Sequence, residues 1–231
     1  MRSSPLGLPL ATLLALFAAA PAYSTEYLPL ATGNQWSYAS IEGSSEVQTV
    51  VGTAPVWGVS TSVIDHTEST FNEGLENYWT TGSDGDVFLW GFNRTLDGFG
   101  WLYDPPILYV DAPLFVGKTW SSEVDVYELP DTTYFATFNL LFTVHEDVLL
   151  SVPAGAFQSY GIGYDAGGGA SMSILGTLGR ALRGTGPSVW FSDGTGEVQY
   201  SSASELFRLV SVNVPNSTSA TSWGAIKGLY R

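Results

Sequence analysis

The chain predicts an all-β fold: one antiparallel β-sandwich or a curved, partly open barrel of roughly 10–14 strands, with a signal helix before it and a short helical tail after it. Three observations predict it. Apolar and aromatic residues recur with period two, turn signals return roughly every eight to twelve residues, and the glycine-rich stretches between them make poor helices.

The elements follow in order. "NQWSYASI" (34–41) puts Trp36 and Tyr38 on one face, and "SEVQTVV" (45–51), "VWGVSTSVI" (56–64) and "ENYWTT" (76–81) continue in the same style. In "DGDVFLWGF" (84–92) the Asp84-Gly85 pair is a turn feeding a strand, because Asp-Gly favours the positive φ of tight hairpins. "WGFNRTLDGFGWLY" (90–103) reads as a loop. The three prolines of "DPPILYVDAPLFVGKTW" (104–120) confine it to edges and connections. Further strands are expected over 117–128, 134–146, 147–152, 156–164, 187–192, 196–202 and 204–214. "SILGTLGRALRGTG" (173–186) reads as strand or loop, since three internal glycines each cost about 1 kcal/mol in a helix.

Residues 1–22 have the form of a signal peptide: Arg2, an apolar run from Leu6 to Ala20, and small residues at Ala20 and Ala22. Cleavage near Ala22 makes Tyr23 the first mature residue, with cleavage after Ser24 as the alternative. This implies export to the periplasm, cell surface or medium. Residues 23–214 form the β domain and 215–231 a polar linker and basic tail. Cysteine is absent, so stability must come from packing, and thiol nucleophiles and thiolate metal sites are excluded. The formal charge is −14, and 19 of the 22 acids lie between Glu26 and Asp165 against Arg94 and Lys118 alone. Nucleic acid is therefore not an expected partner, because binding it needs Lys and Arg at the phosphates.

No arrangement amounts to an active site, so the reading leans towards a non-enzymatic protein without a cofactor. Asp65 precedes His66, but adjacent strand residues face opposite ways. His145 lies in the polar end "HED" of a long strand, and "GASMS" (169–173) is only a near miss of a nucleophile elbow. Acids abound, yet sequence selects no glycosidase pair. Asp84 and Asp86 around Gly85 are the candidate hard-cation ligands, against the plainer reading of solvated turn acids. Of the eight tryptophans, those in 90–103 suggest an exposed aromatic strip. Trp90, Phe92, Trp101 and Tyr103 are its candidate ligand-binding residues, with a polysaccharide or envelope component as partner. A core role for the same rings is the alternative, and an apolar-ligand carrier with an open, dry cavity is a third reading.

Four stretches taken together, "EYLPLATGNQWSY" (26–38), "YDPPILYVDAPLFVGKTWSSE" (103–123), "VPAGAFQSY" (152–160) and "VWFSDGTGEVQYSS" (189–202), resemble a broad group of secreted bacterial β-proteins. Their pattern runs "PLxxGNxWxY", "PLxxGxxW", "VPAGxF" and "WxxxGxGxVxY". The resemblance implies export and a β fold and carries no reaction. Ser192-Asp193 and Gln199 depart from it, where the group has small apolar residues and Lys.

The ending "SATSWGAIKGLYR" (219–231) reads as an amphipathic turn. With Ser222 as N-cap, Trp223, Ile226 and Tyr230 share a face, and Lys227 and Arg231 lie where cations favour the helix dipole. It also resembles the "[ST]WGxIKxLYR" ending of other secreted bacterial proteins. That implies a sorting or attachment system as partner; docking on its own domain is the alternative.

Overall fold

Among the described residues twelve strands, each paired with the next along the chain, close into a barrel where the last pairs with the first. The computed structural model describes residues 25–67, 69, 72–167, 188–202 and 205–214. The signal peptide, segment 173–186 and the 215–231 tail lie outside the described residues. The strands are β1 (Gln35–Ser40), β2 (Ser45–Val56), β3 (Val59–Thr67), β4 (Leu75–Thr81), β5 (Val87–Arg94) and β6 (Phe99–Val110). They continue with β7 (Thr119–Leu129), β8 (Thr133–Val152), β9 (Gly155–Gly167), β10 (Val189–Ser192), β11 (Gly196–Ser202) and β12 (Glu205–Asn213). Gln35 stands opposite Asn213, so β1 and β12 seal the sheet. The expected sandwich or partly open barrel is thus a fully closed one. Closure removes the free edges that an open sheet would expose.

The aromatic content has a direct structural use. A barrel of twelve strands is wider than one of eight, whose interior ordinary side chains fill. Here large rings occupy the centre: Trp79 lies 5.3 Å from Tyr109, which in turn lies 5.9 Å from both Phe142 and Phe191. Trp120 stacks on Phe142 at 5.2 Å, and Tyr200 on Phe207 at 5.0 Å. Such pairs add about 0.5–1.5 kcal/mol each beyond their burial. These rings line the same interior in which an apolar carrier would hold its ligand.

Three expectations are corrected. The 90–103 loop is the β5–β6 hairpin, and a full strand, β6, runs through Pro105 and Pro106. The prolines are tolerated because the β7 ladder stops at Asp104, while the β5 ladder jumps from Leu102 to Ile107. Neither proline nitrogen faces a partner carbonyl. The 134–146 and 147–152 strands are one, β8: its register shifts between Val144 and Glu146, leaving His145 as the extra residue of a bulge.

We call the end where β1 begins and β12 finishes the terminal end, and the opposite one the distal end. The segment before β1 straps the terminal end. Tyr27, Leu28 and Pro29 are buried there. Tyr27 Oη accepts the Leu114 N–H, the Glu26 N–H donates 2.7 Å to Asp193 Oδ1, and Asn34 Nδ2 donates 3.0 Å to the Pro29 carbonyl. Two stretches far apart in sequence, 26–38 and 189–202, are therefore one structural joint.

The β2–β3 hairpin leaves the barrel surface. Its register slips at Gly52, and Val56 packs with Val63, Tyr78 and Leu102 in a second, outer cluster beside Ala54, Trp90 and Leu129. Thr61 Oγ1 pins it by donating 2.7 Å to the Ala54 carbonyl. Gly91 lies beneath this cluster at φ +150°, where an added Cβ would stand 2.3 Å from the Trp101 carbonyl oxygen.

Candidate functional site

The distal end of the barrel holds a buried polar network built on β2, β3 and β4. Register brings it together: Gln48 stands opposite His66, and His66 opposite Leu75. Alternation then turns Glu46, Gln48, His66 and Asn77 inward. Glu46 and His66 are 2 % and 4 % exposed. The Glu46 carboxylate receives four contacts. His66 Nδ1 lies 2.8 Å and Gln48 Nε2 2.6 Å from Oε1, while Asn72 Nδ2 lies 2.7 Å and Ser69 Oγ 3.2 Å from Oε2. On the other side of the ring, Asn77 Nδ2 lies 2.8 Å from His66 Nε2.

Burial alone would push the Glu46 carboxyl up. The electrostatic pull of the His66 ring and the hydrogen bonds from His66, Gln48 and Asn72 outweigh it and hold Glu46 down at about 2. Chemically this is a saturated anion. Each carboxylate oxygen already accepts two bonds and both imidazole nitrogens are engaged, so the pair has no lone pair directed at a reactant. Its work is mechanical: through Ser69 and Asn72 it ties the β3–β4 connection into the barrel.

The structure disperses the residues expected to form a site. Phe92, Trp101 and Tyr103 are 1 %, 5 % and 3 % exposed, with Phe92 and Trp101 packed edge to face at 5.5 Å. Inward alternation on β5 and β6 makes them core, which corrects the exposed strip. Trp90 faces outward, half-buried, and donates 2.9 Å to Thr80 Oγ1. Asp84 and Asp86 lie in the β4–β5 turn at the terminal end, where Asp86 accepts the Ala112 N–H at 2.7 Å. Burial raises the Asp86 pKa, the Ala112 bond opposes this, and the Asp84 and Asp111 charges add to it. Among the described residues no group of three His, Asp or Glu side chains converges as a metal requires. Trp223, Ile226, Lys227, Tyr230 and Arg231 lie outside the described residues. Asp65 is half-buried on the face opposite His66, and His145 is exposed.

Sequence reasoning missed the true partner of His66. Glu46 and Gln48 alternate in phase with inward Val50, whereas Val47 and Val51 suggest the opposite phase. Only the β1 pairing, which sets Glu46 opposite Tyr38, settles which face is inside. It also missed Trp57. That residue sits at the tip of the β2–β3 hairpin with φ +50°, 44 % exposed, with its ring 5.3 Å from Tyr127, itself 6.0 Å from Tyr134.

No protein-family model and no curated protein matches this chain. Solved structures do resemble it. One, from Bacteroides fragilis, is described as a candidate exported protein with a YmcC-like fold; at 14 % identity it covers 82 % of this chain and 99 % of its own, with a TM-score of 0.46. Another, a candidate lipoprotein from Parabacteroides distasonis, has the same identity and coverage and a TM-score of 0.37. At this depth neither lends a role to any residue here.

Proposed function

We propose that this is an exported, non-enzymatic, envelope-associated or secreted binding module. The observation that carries the reading is where the chemistry lies. Large rings pack against one another inside the barrel and the buried Glu46 carboxylate is already saturated, whereas other polar and aromatic groups able to meet a partner stand on the outside. The outward residues of β7, Thr119, Ser121, Glu123 and Asp125, are polar while Trp120, Ser122, Val124 and Val126 are buried. That pattern is the inverse of a lipid-facing barrel, whose outer band is apolar.

Export rests on residues 1–22, and attachment on the 215–231 tail with Trp223, Lys227 and Arg231. Both chain ends leave the barrel at the terminal end, since Gln35 pairs with Asn213. A tether at either end would leave the outer wall and the distal end free.

The test is fractionation of cells making the full chain, followed by incubation of the purified mature protein with isolated envelope material. A mature N-terminus at Tyr23 or Thr25, with co-sedimentation and no release of soluble fragments, is expected. Retention of residues 1–22 in the cytoplasm, absence of co-sedimentation, or catalytic release of fragments would overturn the reading. Deletion of 216–231 is expected to release the exported protein from the cell; unchanged attachment would remove the tail from the proposal.

A further inference from the structure

We propose that the outer face of β6–β8 beside the folded hairpin binds an uncharged or amino-bearing polysaccharide. The inference rests on the binding-module reading and names its surface and ligand class. Three rows of side chains meet there. Leu102, Tyr127 and Tyr134 stand opposite one another across β6, β7 and β8, and Asp104, Asp125 and Thr137 form the next row of the same face. Glu123 and Asn139 form a third. Trp57, carried over the sheet by its hairpin, forms a wall above the aromatic row. Tyr134 is 55 % exposed, and its hydroxyl lies 2.9 Å from Thr137 Oγ1, which donates in turn to Asp125 Oδ1.

Two local costs converge on this patch. Asp104 and Asp125 are directly opposed across strands, and like charges so placed repel. Trp57 at φ +50° and Gly58 at φ +81° form the two-residue turn between Val56 and Val59, and a bulky ring stands at a turn position that Gly, Asn or Asp fill at less cost. Both arrangements place groups at solvent: Asp104 is exposed and Trp57 is 44 % exposed.

The composition selects the ligand. Ring surfaces accept the C–H face of a pyranose, while carboxylates and hydroxyls at the rim accept and donate to its hydroxyls. Asp104, Glu123 and Asp125 repel sulfated or uronic-acid chains and an anionic lipid surface, and they attract a free amino sugar. A basic peptide would satisfy the charge but would leave the Asn139 amide and the accepting hydroxyl oxygens of Tyr134 and Thr137 without a matched array of hydroxyls.

Affinity electrophoresis of the mature protein through gels containing hydroxyethyl cellulose, chitosan or alginate tests this. Retardation by either of the first two and none by alginate is expected. Trp57→Gly relieves the positive φ, so the fold should persist with an unchanged melting temperature while the apparent Kd rises at least tenfold. Tyr134→Ala should do likewise. Equal retardation of the Trp57→Gly variant, retardation by alginate, or displacement by oligolysine in preference to chitosan oligosaccharides would overturn the proposal. Wild-type co-sedimentation with envelope material that survives both substitutions would locate the failure in this surface rather than in the binding-module reading.

Discussion

His66 Nδ1 stands 2.8 Å from Glu46 Oε1 in the distal end of the barrel, with both side chains almost wholly removed from water. A charge there is tolerable only because every lone pair of the carboxylate is used. Removing one member leaves the other buried and uncompensated, so Glu46→Ala should cost about 3–5 kcal/mol. Urea unfolding monitored by tryptophan fluorescence measures it. A loss under 1 kcal/mol would mean that the β3–β4 connection does not depend on this anion.

The same carboxylate sets an acid dependence. Its folded pKa, about 2, lies below the ordinary 4.5, so its contribution is complete above pH 4.5 and is lost as pH falls towards 2. The sum is on the order of 3 kcal/mol. Stability of Glu46→Gln should fall less steeply over that window than that of the wild type; parallel slopes would contradict the assignment.

Tyr27 and Tyr78 give the opposite edge. Burial raises both to about 12, with the Tyr160, Asp193 and Asp147 charges adding at Tyr27 and that of Glu76 at Tyr78. A raised pKa stabilises below the unfolded value of 10 and loses that contribution as pH rises towards 12. Absorbance titration of Tyr27→Phe should lack one late-ionising phenol, and that variant should resist alkaline unfolding better in this window.

Gly91→Ala tests the outer cluster. The new methyl would enter a space held by the Trp101 carbonyl oxygen at 2.3 Å, and relief requires the β5–β6 pairing to shift. The expected loss is about 1–3 kcal/mol or more, seen as a lower melting temperature together with faster proteolysis of the β2–β3 hairpin. Unchanged proteolysis would show that the hairpin holds without this packing.

Phe92→Ala should behave as a core deletion, losing about 3–5 kcal/mol, whereas Trp90→Ala, half-buried on the outer face, should lose far less. Chemical unfolding of the two variants compares them. Equal losses would contradict the inward–outward assignment of β5.

Much of this architecture was legible in the chain. Trp36 and Tyr38 alternate with polar residues in β1, and turn glycines separate β4 from β5 and β10 from β11, so strands there follow from local chemistry. Pro105 and Pro106 misled because their meaning depends on partners: a proline is harmless where neighbouring ladders both lapse, and nothing within β6 reports where β5 and β7 stop. His145 misled in the same way, since a bulge and a hairpin end look alike within one strand.

What the sequence determined by itself was the β class, the acidic, cysteine-free composition and the need for a core built from rings. Those properties reside in single residues and their spacing. Closure of β1 on β12, the Glu46–His66 pair, the strap from Tyr27 to Asp193 and the patch of Trp57, Tyr127 and Tyr134 were decided by tertiary structure alone. Each joins residues that the chain keeps apart, and in a sheet a one-residue change of register reverses which of them face the interior.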